Sequence, residues 1–336
     1  MSLLEPRNQT TRDDEKAYDS FDEDAPLSHL LKKSPSSSPS SSNKRFKPLP
    51  SFQKDLAEKG YAVIEGVLTP EEVDIAKQDF YAWADGNDQF KKLHSKISPH
   101  GIIKHLEIGH QRHAWFVRTR PSVQNVFKKL WNTNELTVSY DGTCWIPADA
   151  KNKRDGIWTH TDQAPSKRGL ACYQGFVTLT DNVDRSLVVY EGSHLLHAQY
   201  TLDQNLTDAE FTKDWLLINH DYLAKIAHTR KVLSAKAGSL VIWDSRTFHQ
   251  NQYGSSDEER IVQYVSYLPK SGCNKKMREK RLKYFKERRT TSHWAYPVKV
   301  NGQQPRTYGN KDLVIDTSAL RKPYLEDLMS EIVKLV

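Results

Sequence analysis

Apolar and polar positions follow no regular pattern over the first fifty residues, and a repeating pattern begins only after them. Charged residues, serine and proline dominate residues 1–50. Because so few large apolar side chains cannot form a core, we expect this segment to be disordered. The sequence therefore predicts one folded region over residues 51–336. Within it, residues 202–231 interrupt the core pattern as a partly helical insertion, and such insertions often shape a lid over a site.

Two segments near the start of the folded region have helical patterns. Thr69 has the residue type of an N-cap, Pro70 suits the first helical position, and Glu72 completes a capping box, so a helix is expected from here to about Ala84. A second helix is predicted over residues 121–131. Its apolar residues are spaced along one helical face: Val123, Val126, Phe127 and Leu130.

Short apolar runs separated by glycine-containing turns predict strands over much of the remaining chain. The predicted strands cover residues 61–67, 136–142, a short stretch from Trp158, residues 172–181 and 187–190, two strands joined by a glycine turn within 232–243, and residues 260–268. At the end of the chain, residues 324–336 are amphipathic and are expected to pack against this β region.

The composition of the chain is typical of a globular intracellular protein. Eight Trp, fifteen Tyr and eleven Phe among 336 residues are ample for a core. No run of about 18 apolar residues exists, so no membrane-spanning helix is expected, and residues 1–6 lack the pattern of a secretory signal. Cys144, Cys172 and Cys273 have neither paired nor metal-type spacing, which favours a reducing compartment.

The formal net charge of +7 belongs entirely to residues 51–336, because eight basic and eight acidic residues balance within 1–50. This modest charge is compatible with nucleic-acid or acidic-metabolite partners and equally with ordinary solubility. Residues 275–289 contain nine Lys or Arg and two Glu, and they predict a basic helix. Two interpretations stay open: the helix contacts phosphates, or it is a solvated face whose Met277, Leu282 and Phe285 pack inward.

Two basic clusters in the N-terminal segment resemble a bipartite nuclear-import signal. Lys32-Lys33 is followed by a spacer rich in Ser and Pro and then by Lys44-Arg45-Phe46-Lys47. Importin would be the partner of such a signal. The alternative is a solvated linker with scattered charge. We therefore expect a nuclear protein, or otherwise a cytoplasmic one.

Candidate chemistry is concentrated in two distant segments. In a strand that contains His160-Thr161-Asp162, side chains alternate between faces, so His160 and Asp162 point the same way. His249, at the end of a later strand, would complete a set of two histidines and one carboxylate. This set leaves open positions on non-haem Fe(II). A single His-x-Asp arises by chance in a chain with 13 His and 42 acidic residues, so the context decides its meaning.

The context is provided by the strands around His249. Arg260 follows eleven residues later and opens another predicted buried strand, where an isolated charge needs an anionic partner or an exit to solvent. A dicarboxylate co-substrate would be such a partner, through bidentate hydrogen bonds to the guanidinium group. Gln174, on the strand over residues 172–181, is a candidate to hydrogen-bond a co-substrate oxygen. Alternatively, the side chain of Gln174 is hydrogen-bonded to the backbone.

Five further histidines lie close together in the sequence, between residues 94 and 113. No carboxylate or cysteine accompanies them at ligand spacing, so we expect surface or substrate-region histidines rather than a metal site. They are His94, His100, His105, His110 and His113.

The order His160-x-Asp162, His249 and Arg260 resembles the Fe(II)/2-oxoglutarate dioxygenases of the phytanoyl-CoA dioxygenase type. The resemblance covers roughly residues 51–295, and three more segments support it: residues 60–72, 187–194 and 238–243. The family usually has Pro-Gly-Ser-His where this chain has Glu191-Gly192-Ser193-His194. The difference lies in a turn and leaves the ligands unchanged.

This resemblance implies a mainly β fold with flanking helices, namely a double-stranded β-helix, or jelly-roll and cupin-like barrel. It also implies Fe(II) and 2-oxoglutarate as cofactors and dioxygen as a co-substrate in the hydroxylation of a C–H bond. His160, Asp162 and His249 would bind the metal. Arg260 would bind the far carboxylate of 2-oxoglutarate, together with Asn251, because relatives often have a small polar residue at that place.

The resemblance does not identify the substrate, since one fold serves many reactions. A small or lipid-like metabolite follows from family analogy, whereas a nuclear polymer, nucleic acid or chromatin protein, follows from the import-like segment and residues 275–289. A different class is a non-catalytic nuclear module that binds nucleic acid or chromatin through residues 275–289. The retention of His160, Asp162, His249 and Arg260 argues against this class, because a pure binding module needs none of them.

Overall fold

Two antiparallel β-sheets lie at the centre of the protein in the computed structural model. The structure describes residues 51–98, 100–150, 156–307, 309–318 and 320–336. In chain order the strands are β1 (Tyr61–Ile64), β2 (Ile102–Ile103), β3 (Leu136–Val138), β4 (Thr143–Ile146), β5 (His160–Thr161), β6 (Tyr173–Thr178), β7 (Leu187–Tyr190), β8 (Leu216–Leu217), β9 (Arg230–Val232), β10 (Leu240–Asp244), β11 (His249–Asn251), β12 (Arg260–Val265) and β13 (Tyr267–Pro269).

Helices connect and cover these strands. In chain order the α-helices are α1 (Ser51–Lys59), α2 (Pro70–Asp85), α3 (Asp88–Ile97), α4 (Arg112–Thr119), α5 (Pro121–Trp131), α6 (Ser193–Leu202), α7 (Asp208–Thr212), α8 (His220–Lys225), α9 (Lys275–Lys286) and α10 (Met329–Leu335). No helix in the described part of the chain combines the length and the apolar character needed to span a bilayer.

The larger sheet has the strand order β1-β10-β6-β12-β4-β2, and the smaller sheet has the order β8-β5-β11-β7-β9. Every recorded strand pair is antiparallel. Because consecutive neighbours in the sheets are far apart in the sequence, the chain crosses repeatedly between the two sheets. This arrangement brings β5 and β11 side by side, although about ninety residues separate them in the chain.

A shared apolar core joins the inner faces of the two sheets. Phe176 and Trp243 of the larger sheet pack in one cluster with Leu187 and Val189 of the smaller sheet. The outer face of the larger sheet is covered by α2, α4 and α5 in a second cluster that also contains Ile242. The predicted mainly β, jelly-roll-type fold with flanking helices is confirmed.

Local sequence rules account for several of the elements. The Thr69 side chain accepts a hydrogen bond from the Glu72 N–H, and the Glu72 carboxylate accepts one from the Thr69 N–H, so the predicted capping box is present. The helix over residues 121–131 is also present, as α5. The predicted glycine turn before β10 contains Gly238, whose φ of +82° favours glycine and whose added Cβ would lie 2.7 Å from the Leu68 carbonyl oxygen.

The predicted strand over residues 136–142 is wrong in its extent. Only β3 forms there, and it pairs with β13 in a separate two-stranded sheet. The chain then passes Gly142 and enters the larger sheet through β4, which the sequence analysis did not predict. The insertion over 202–231 also contains two strands that periodicity did not indicate, β8 and the start of β9, because a strand of two or three residues is too short to show alternation.

Of the two predicted settings for the histidines between residues 94 and 113, surface or substrate region, the surface setting is wrong for four of the five. His94, His105, His110 and His113 are buried, with at most 6% of each residue exposed, whereas His100 is exposed. Burial lowers the pKa of His105 to about 4 and the pKa values of His110 and His113 to about 3. These neutral rings pack in the aromatic core around Phe80, Phe90 and Trp115.

The basic helix α9 is shorter than predicted, and the expected inward packing of its apolar residues is present for Met277 and Phe285 but not for Leu282. It ends at Lys286, and its buried residue is Arg281, while Leu282 is 45% exposed. Arg281 donates hydrogen bonds to the backbone carbonyls of Val138, Ala295, Leu335 and Val336. At least this basic residue of the helix therefore has a structural role. Contact between residues 275–289 and nucleic acid or chromatin stays a prediction.

The C-terminal segment packs on the main core as expected, through Leu328, Ile332 and Leu335. Residues 1–50 lie outside the described residues. The disordered segment, the import signal and the importin contact therefore stay predictions.

Candidate metal centre

His160 and His249 are brought together by the pairing of β5 with β11. They lie directly opposite each other in the antiparallel register, and such residues project their side chains from the same face of a sheet. Their ring centroids are 4.5 Å apart. Asp162 follows one residue after β5, where its N–H donates a hydrogen bond of 3.2 Å to the Ser245 carbonyl. The smaller sheet therefore presents all three predicted ligands at one place.

The distances within this group suit a single metal ion. His160 Nε2 lies 3.7 Å from Asp162 Oδ1, and His249 Nε2 lies 3.3 Å from Asp162 Oδ2. One ligand atom from each residue lies within 4.8 Å of the others, and the described residues contain no other such group of three. Ligand atoms about 2.0–2.2 Å from one ion lie roughly 3 Å apart at adjacent positions, so only a small adjustment is needed.

Both histidines are held with the correct nitrogen towards the metal. His160 Nδ1 is 3.1 Å from the Trp158 carbonyl oxygen, and His249 Nδ1 is 2.9 Å from the Thr247 carbonyl oxygen. A carbonyl oxygen only accepts hydrogen bonds, so Nδ1 carries the proton in each ring. The Nε2 lone pair of each ring is then free for the metal, as in protein metal sites generally.

The electrostatic environment favours the metal-binding protonation states. Burial lowers the pKa of His160, which keeps its ring neutral. Burial alone would raise the pKa of Asp162, but its contacts with His160 and His249 hold that pKa well below its usual value. A neutral imidazole and an ionised carboxylate are the forms that bind a metal.

Arg260 lies on the inner face of the larger sheet with no exposed surface. It donates hydrogen bonds to the Ser186 carbonyl, at 3.2 Å, and to Asn251 Oδ1, at 3.1 Å. Its Nε has no hydrogen-bond partner, and no carboxylate of the described residues forms an ion pair with it. A buried guanidinium group without a counter-ion is costly, and an anion bound at this position would compensate its charge.

Two further unpaired donors lie on the same inner face. Gln174 on β6 pairs in register with Trp243 on β10, and the Nε2 of Gln174 and the Nε1 of Trp243 are buried without a partner. Phe176 connects them to Arg260: its ring centroid lies 5.8 Å from that of Trp243 and 5.3 Å from the guanidinium carbon. A dicarboxylate offers only acceptors, so 2-oxoglutarate fits this set of donors.

Asn251 lies beside Arg260, and its amide has three hydrogen-bond partners. Its Oδ1 accepts from Arg260, while its Nδ2 donates to the Tyr264 hydroxyl over 3.0 Å and to Cys144 Sγ over 4.0 Å. Asn251 therefore orients the guanidinium group. Its direct contact with a carboxylate, like the role of Gln174, stays a prediction.

Sequence reasoning missed several residues around the metal ligands. The Trp215 ring centroid lies 5.5 Å from that of His160, whose ring also stacks with Trp158 at 5.0 Å. His293 Nε2 is buried without a hydrogen-bond partner. Burial lowers the pKa of His293 to about 4, although the negative charge of Asp162 acts in the opposite direction. No spacing rule links residues 215 and 293 to the ligands, so only the fold reveals them. Phe248, the neighbour of His249 in the chain, packs with Tyr200.

Comparison with known proteins places these features in a family. The family model for phytanoyl-CoA dioxygenase (PhyH) matches residues 56–262, which is more than half of the chain. A similar protein is Ava biosynthesis cluster protein O of Aspergillus versicolor. It is 27% identical over 264 residues, which cover 72% of this chain and 85% of that protein.

Among solved structures, the chain is similar to the epimerase SnoN in complex with Fe3+, alpha-ketoglutarate and nogalamycin RO. The identity is 19%, the TM-score is 0.45, and the match covers 65% of this chain and 82% of SnoN. It is also similar to EctD from S. alaskensis with 2-oxoglutarate and 5-hydroxyectoine. There the identity is 15% and the TM-score 0.46, with 69% of this chain and 80% of EctD covered.

Proposed function

The chain belongs to the phytanoyl-CoA dioxygenase family, and on this premise we propose that it hydroxylates a C–H bond of a small-molecule substrate. It is an enzyme of the Fe(II)/2-oxoglutarate-dependent type. Bound Fe(II) and 2-oxoglutarate would together supply the oxidising power for reaction with dioxygen, and 2-oxoglutarate would be converted to succinate and CO2. The remaining task of the protein is to hold these groups and to exclude competing reactions.

One observation carries this proposal: the ligand atoms of His160, Asp162 and His249 converge within 4.8 Å, and a buried, uncompensated Arg260 lies on the facing sheet. The three ligands would hold Fe(II) and leave its other positions open. Arg260 would bind the far carboxylate of 2-oxoglutarate, and Asn251 would keep the guanidinium group in place. The Gln174 and Trp243 donors would bind further oxygens of the co-substrate.

The aromatic rings near the histidine ligands would orient the imidazoles and exclude water from the site. Trp158 stacks against His160, and Trp243 lies 5.2 Å from the His249 ring, centroid to centroid. These large side chains fix the imidazole planes and exclude water from the ligand atoms. A water-poor site strengthens the electrostatic contacts of the charged groups within it.

A measurement of metal binding tests whether His160, Asp162 and His249 form a metal centre or lie together by chance. Anaerobic titration of the full chain with Fe(II), followed by metal analysis after gel filtration, is expected to give one ion per chain. The Asp162→Ala variant should not retain that ion, because the anionic ligand is lost and only two neutral imidazoles remain. Equal iron content in the native protein and the variant would show that the ion binds elsewhere.

We also propose nuclear localisation, which is supported by the two basic clusters of residues 32–33 and 44–47. A fluorescent fusion of residues 1–50 should accumulate in the nucleus, and replacement of Lys44 and Arg45 by Ala should disperse it. A cytoplasmic native fusion would remove this proposal without affecting the enzymatic one.

A further inference from the structure

Tyr264 lies on the inner face of the larger sheet, on the side of Arg260 that is closer to the metal ligands. Both residues belong to β12 and are four positions apart, so their side chains project from the same face. Tyr264 pairs in register with Phe176 of β6. Gln174, two residues earlier on β6, pairs with Trp243 of β10. Because β12 and β6 are antiparallel, the direction from Arg260 to Tyr264 leads towards Gln174 and Trp243.

Aromatic contacts place Tyr264 among the groups proposed to bind the co-substrate. The ring centroid of Phe176 lies 6.1 Å from that of Tyr264 and 5.3 Å from the guanidinium carbon of Arg260. It also lies 5.8 Å from the ring centroid of Trp243, which in turn is 5.2 Å from that of the ligand His249. A dicarboxylate that extends from the metal to Arg260 would therefore pass Tyr264.

The Tyr264 hydroxyl is held close to Arg260 by a shared neighbour, Asn251. Asn251 Oδ1 accepts a hydrogen bond from Arg260 Nη2 over 3.1 Å, and Asn251 Nδ2 donates one to the Tyr264 hydroxyl oxygen over 3.0 Å. The oxygen and nitrogen of one amide are bonded to the same carbon, so the guanidinium group and the hydroxyl lie near each other. An anion bound by Arg260 is therefore within the surroundings of Tyr264.

The O–H proton of Tyr264 has no strong acceptor in the described part of the chain. A phenol oxygen accepts and donates at the same time, and Asn251 uses only its acceptor capacity. The other neighbour of the hydroxyl is the Cys144 thiol, whose sulfur is a weak acceptor. Burial raises the pKa of Tyr264, so the hydroxyl keeps its proton. This O–H group is therefore available to a stronger acceptor.

We propose that Tyr264 donates a hydrogen bond to the far carboxylate of 2-oxoglutarate, as a second donor beside Arg260. The inference rests on the proposed function and adds a co-substrate-binding residue to it. A carboxylate has two oxygens that accept hydrogen bonds, and bonds to an ionised acceptor are roughly twice as strong as neutral ones. Arg260 would supply the charge and Tyr264 the second donor, while Asn251 would hold these two groups next to each other.

Calorimetric binding measurements test the inference without any turnover. The Mn(II)-loaded full chain is titrated in the absence of dioxygen with 2-oxoglutarate and with 2-oxopentanoate, which keeps the keto-acid end and has a methyl group in place of the far carboxylate. Tyr264→Phe, which removes only the hydroxyl, should raise the dissociation constant of 2-oxoglutarate roughly tenfold. The dissociation constant of 2-oxopentanoate should change by less than about twofold, because this ligand offers no far carboxylate to the donor.

A double variant distinguishes direct donation from an effect on the guanidinium group. If Tyr264 donates to the carboxylate, adding Tyr264→Phe to Arg260→Met should weaken 2-oxoglutarate binding by a further factor of about three or more. If the hydroxyl only orients Arg260 through Asn251, the second substitution should change nothing once the guanidinium group is absent.

Tyr267→Phe is the matched control, because it also removes one tyrosine hydroxyl from the protein interior. Tyr267 is fully buried, its hydroxyl donates to the Arg118 carbonyl over 2.8 Å, and its ring packs against Phe127 in the other core cluster. Loss of that hydrogen bond should lower the free energy of unfolding. The variant should nevertheless bind 2-oxoglutarate and 2-oxopentanoate like the native protein.

The outcomes distinguish this inference from the proposed function. Failure of the native protein to bind Mn(II) or 2-oxoglutarate would contradict the proposed function. If the native protein binds both, the inference is overturned by any of three results: unchanged 2-oxoglutarate affinity in Tyr264→Phe, an equal loss of affinity for 2-oxopentanoate, or no further loss when Tyr264→Phe is added to Arg260→Met. Circular dichroism and Mn(II) content measured for each variant exclude misfolding and metal loss as the cause.

Discussion

His160 and His249 face each other across β5 and β11, and each ring is hydrogen-bonded through Nδ1 to the carbonyl of the residue two positions earlier. The same local arrangement, repeated on adjacent antiparallel strands, directs both Nε2 atoms towards Asp162. This symmetry comes from the sheet register, because a shift of one residue would turn one ring to the other face.

Replacement of Arg260 should weaken 2-oxoglutarate binding. Arg260→Met removes the charge that pairs with the far carboxylate, and a charged hydrogen bond contributes about 1.5–3 kcal/mol. We therefore expect the KM for 2-oxoglutarate to rise roughly 10- to 100-fold, measured as succinate formation. Arg278→Met, on the exposed side of α9, should leave this KM unchanged. An unchanged KM in Arg260→Met would place the carboxylate elsewhere.

The thermal stability of Arg260→Met tests whether Arg260 lacks a counter-ion in the metal-free protein. In metal-free protein, Arg260→Met should unfold at the same or a higher temperature than the native chain, because an uncompensated buried charge is replaced by an apolar side chain. Mn(II) with 2-oxoglutarate should raise the Tm of the native protein more than that of the variant. A large drop in the Tm of the metal-free variant would mean that Arg260 is mainly structural.

Gln174 offers a comparison between two substitutions of similar size. Gln174→Leu removes the unpaired Nε2 donor, whereas Gln174→Glu places a carboxylate on the same inner face. If Gln174 contacts 2-oxoglutarate, the KM should rise in both variants and more in Gln174→Glu, because like charges repel strongly in a buried site. Equal and unaltered KM values would support the alternative, in which Gln174 has no contact with the co-substrate.

Arg281→Met should destabilise the protein, in contrast to Arg260→Met. Arg281 binds four backbone carbonyls that connect α9 to β3 and to the C-terminus. Loss of these bonds leaves several buried acceptors unpaired, so the free energy of unfolding should fall by about 3 kcal/mol or more. Urea unfolding measures this change. Lys283→Met on the same helix, an exposed residue, should change stability by less than about 0.5 kcal/mol.

The stability of the metal-free protein should decrease in acid. Burial lowers the pKa of His105 to about 4 and of His110 and His113 to about 3, from an ordinary value of 6.5. Below pH 6.5 the unfolded chain binds protons that the folded chain does not bind, so the free energy of unfolding falls as the pH falls. At pH 5 the loss is about 2 kcal/mol for each histidine.

Asp141 acts in the opposite direction and offsets part of this loss. Burial raises its pKa to about 6, so its folded form takes up a proton between pH 6 and 4 before the unfolded form does. Urea unfolding at pH 7.5 and pH 5 should still show a net loss, because three histidines outweigh one carboxyl. His105→Leu should reduce the difference between the two pH values by about 2 kcal/mol. Equal stability at both pH values would contradict the account.

Local sequence rules predicted the elements that depend on residues close together in the chain. The capping box at Thr69, the apolar face of α5 and the Gly238 turn depend on residues within a few positions of each other. The metal ligands were predictable for a related reason, because the alternation of a strand places His160 and Asp162 on one face and family resemblance supplies His249 and Arg260.

The remaining features depend on tertiary contacts. The two-residue strand β8 exists only because β5 lies beside it. Arg281 is buried within a basic helix because four carbonyls converge on it. His94, His105 and His113 are buried because Phe80 of α2 and Phe90 of α3 pack against them. Hydrophobic periodicity treats arginine and histidine as polar, so it assigned these residues to the surface.

Succinate formation tests the central claim most directly. Purified protein, loaded with Fe(II) and supplied with 2-oxoglutarate under air, should produce succinate, because the proposed reaction converts 2-oxoglutarate to succinate and CO2. His160→Ala should abolish the product, while Leu282→Ser should retain it. Succinate from the native protein that disappears in His160→Ala is the predicted result. Equal succinate from both proteins, or none from a native protein that contains one bound iron and is supplied with 2-oxoglutarate, would contradict the assignment of His160, Asp162 and His249 as the metal centre of a dioxygenase.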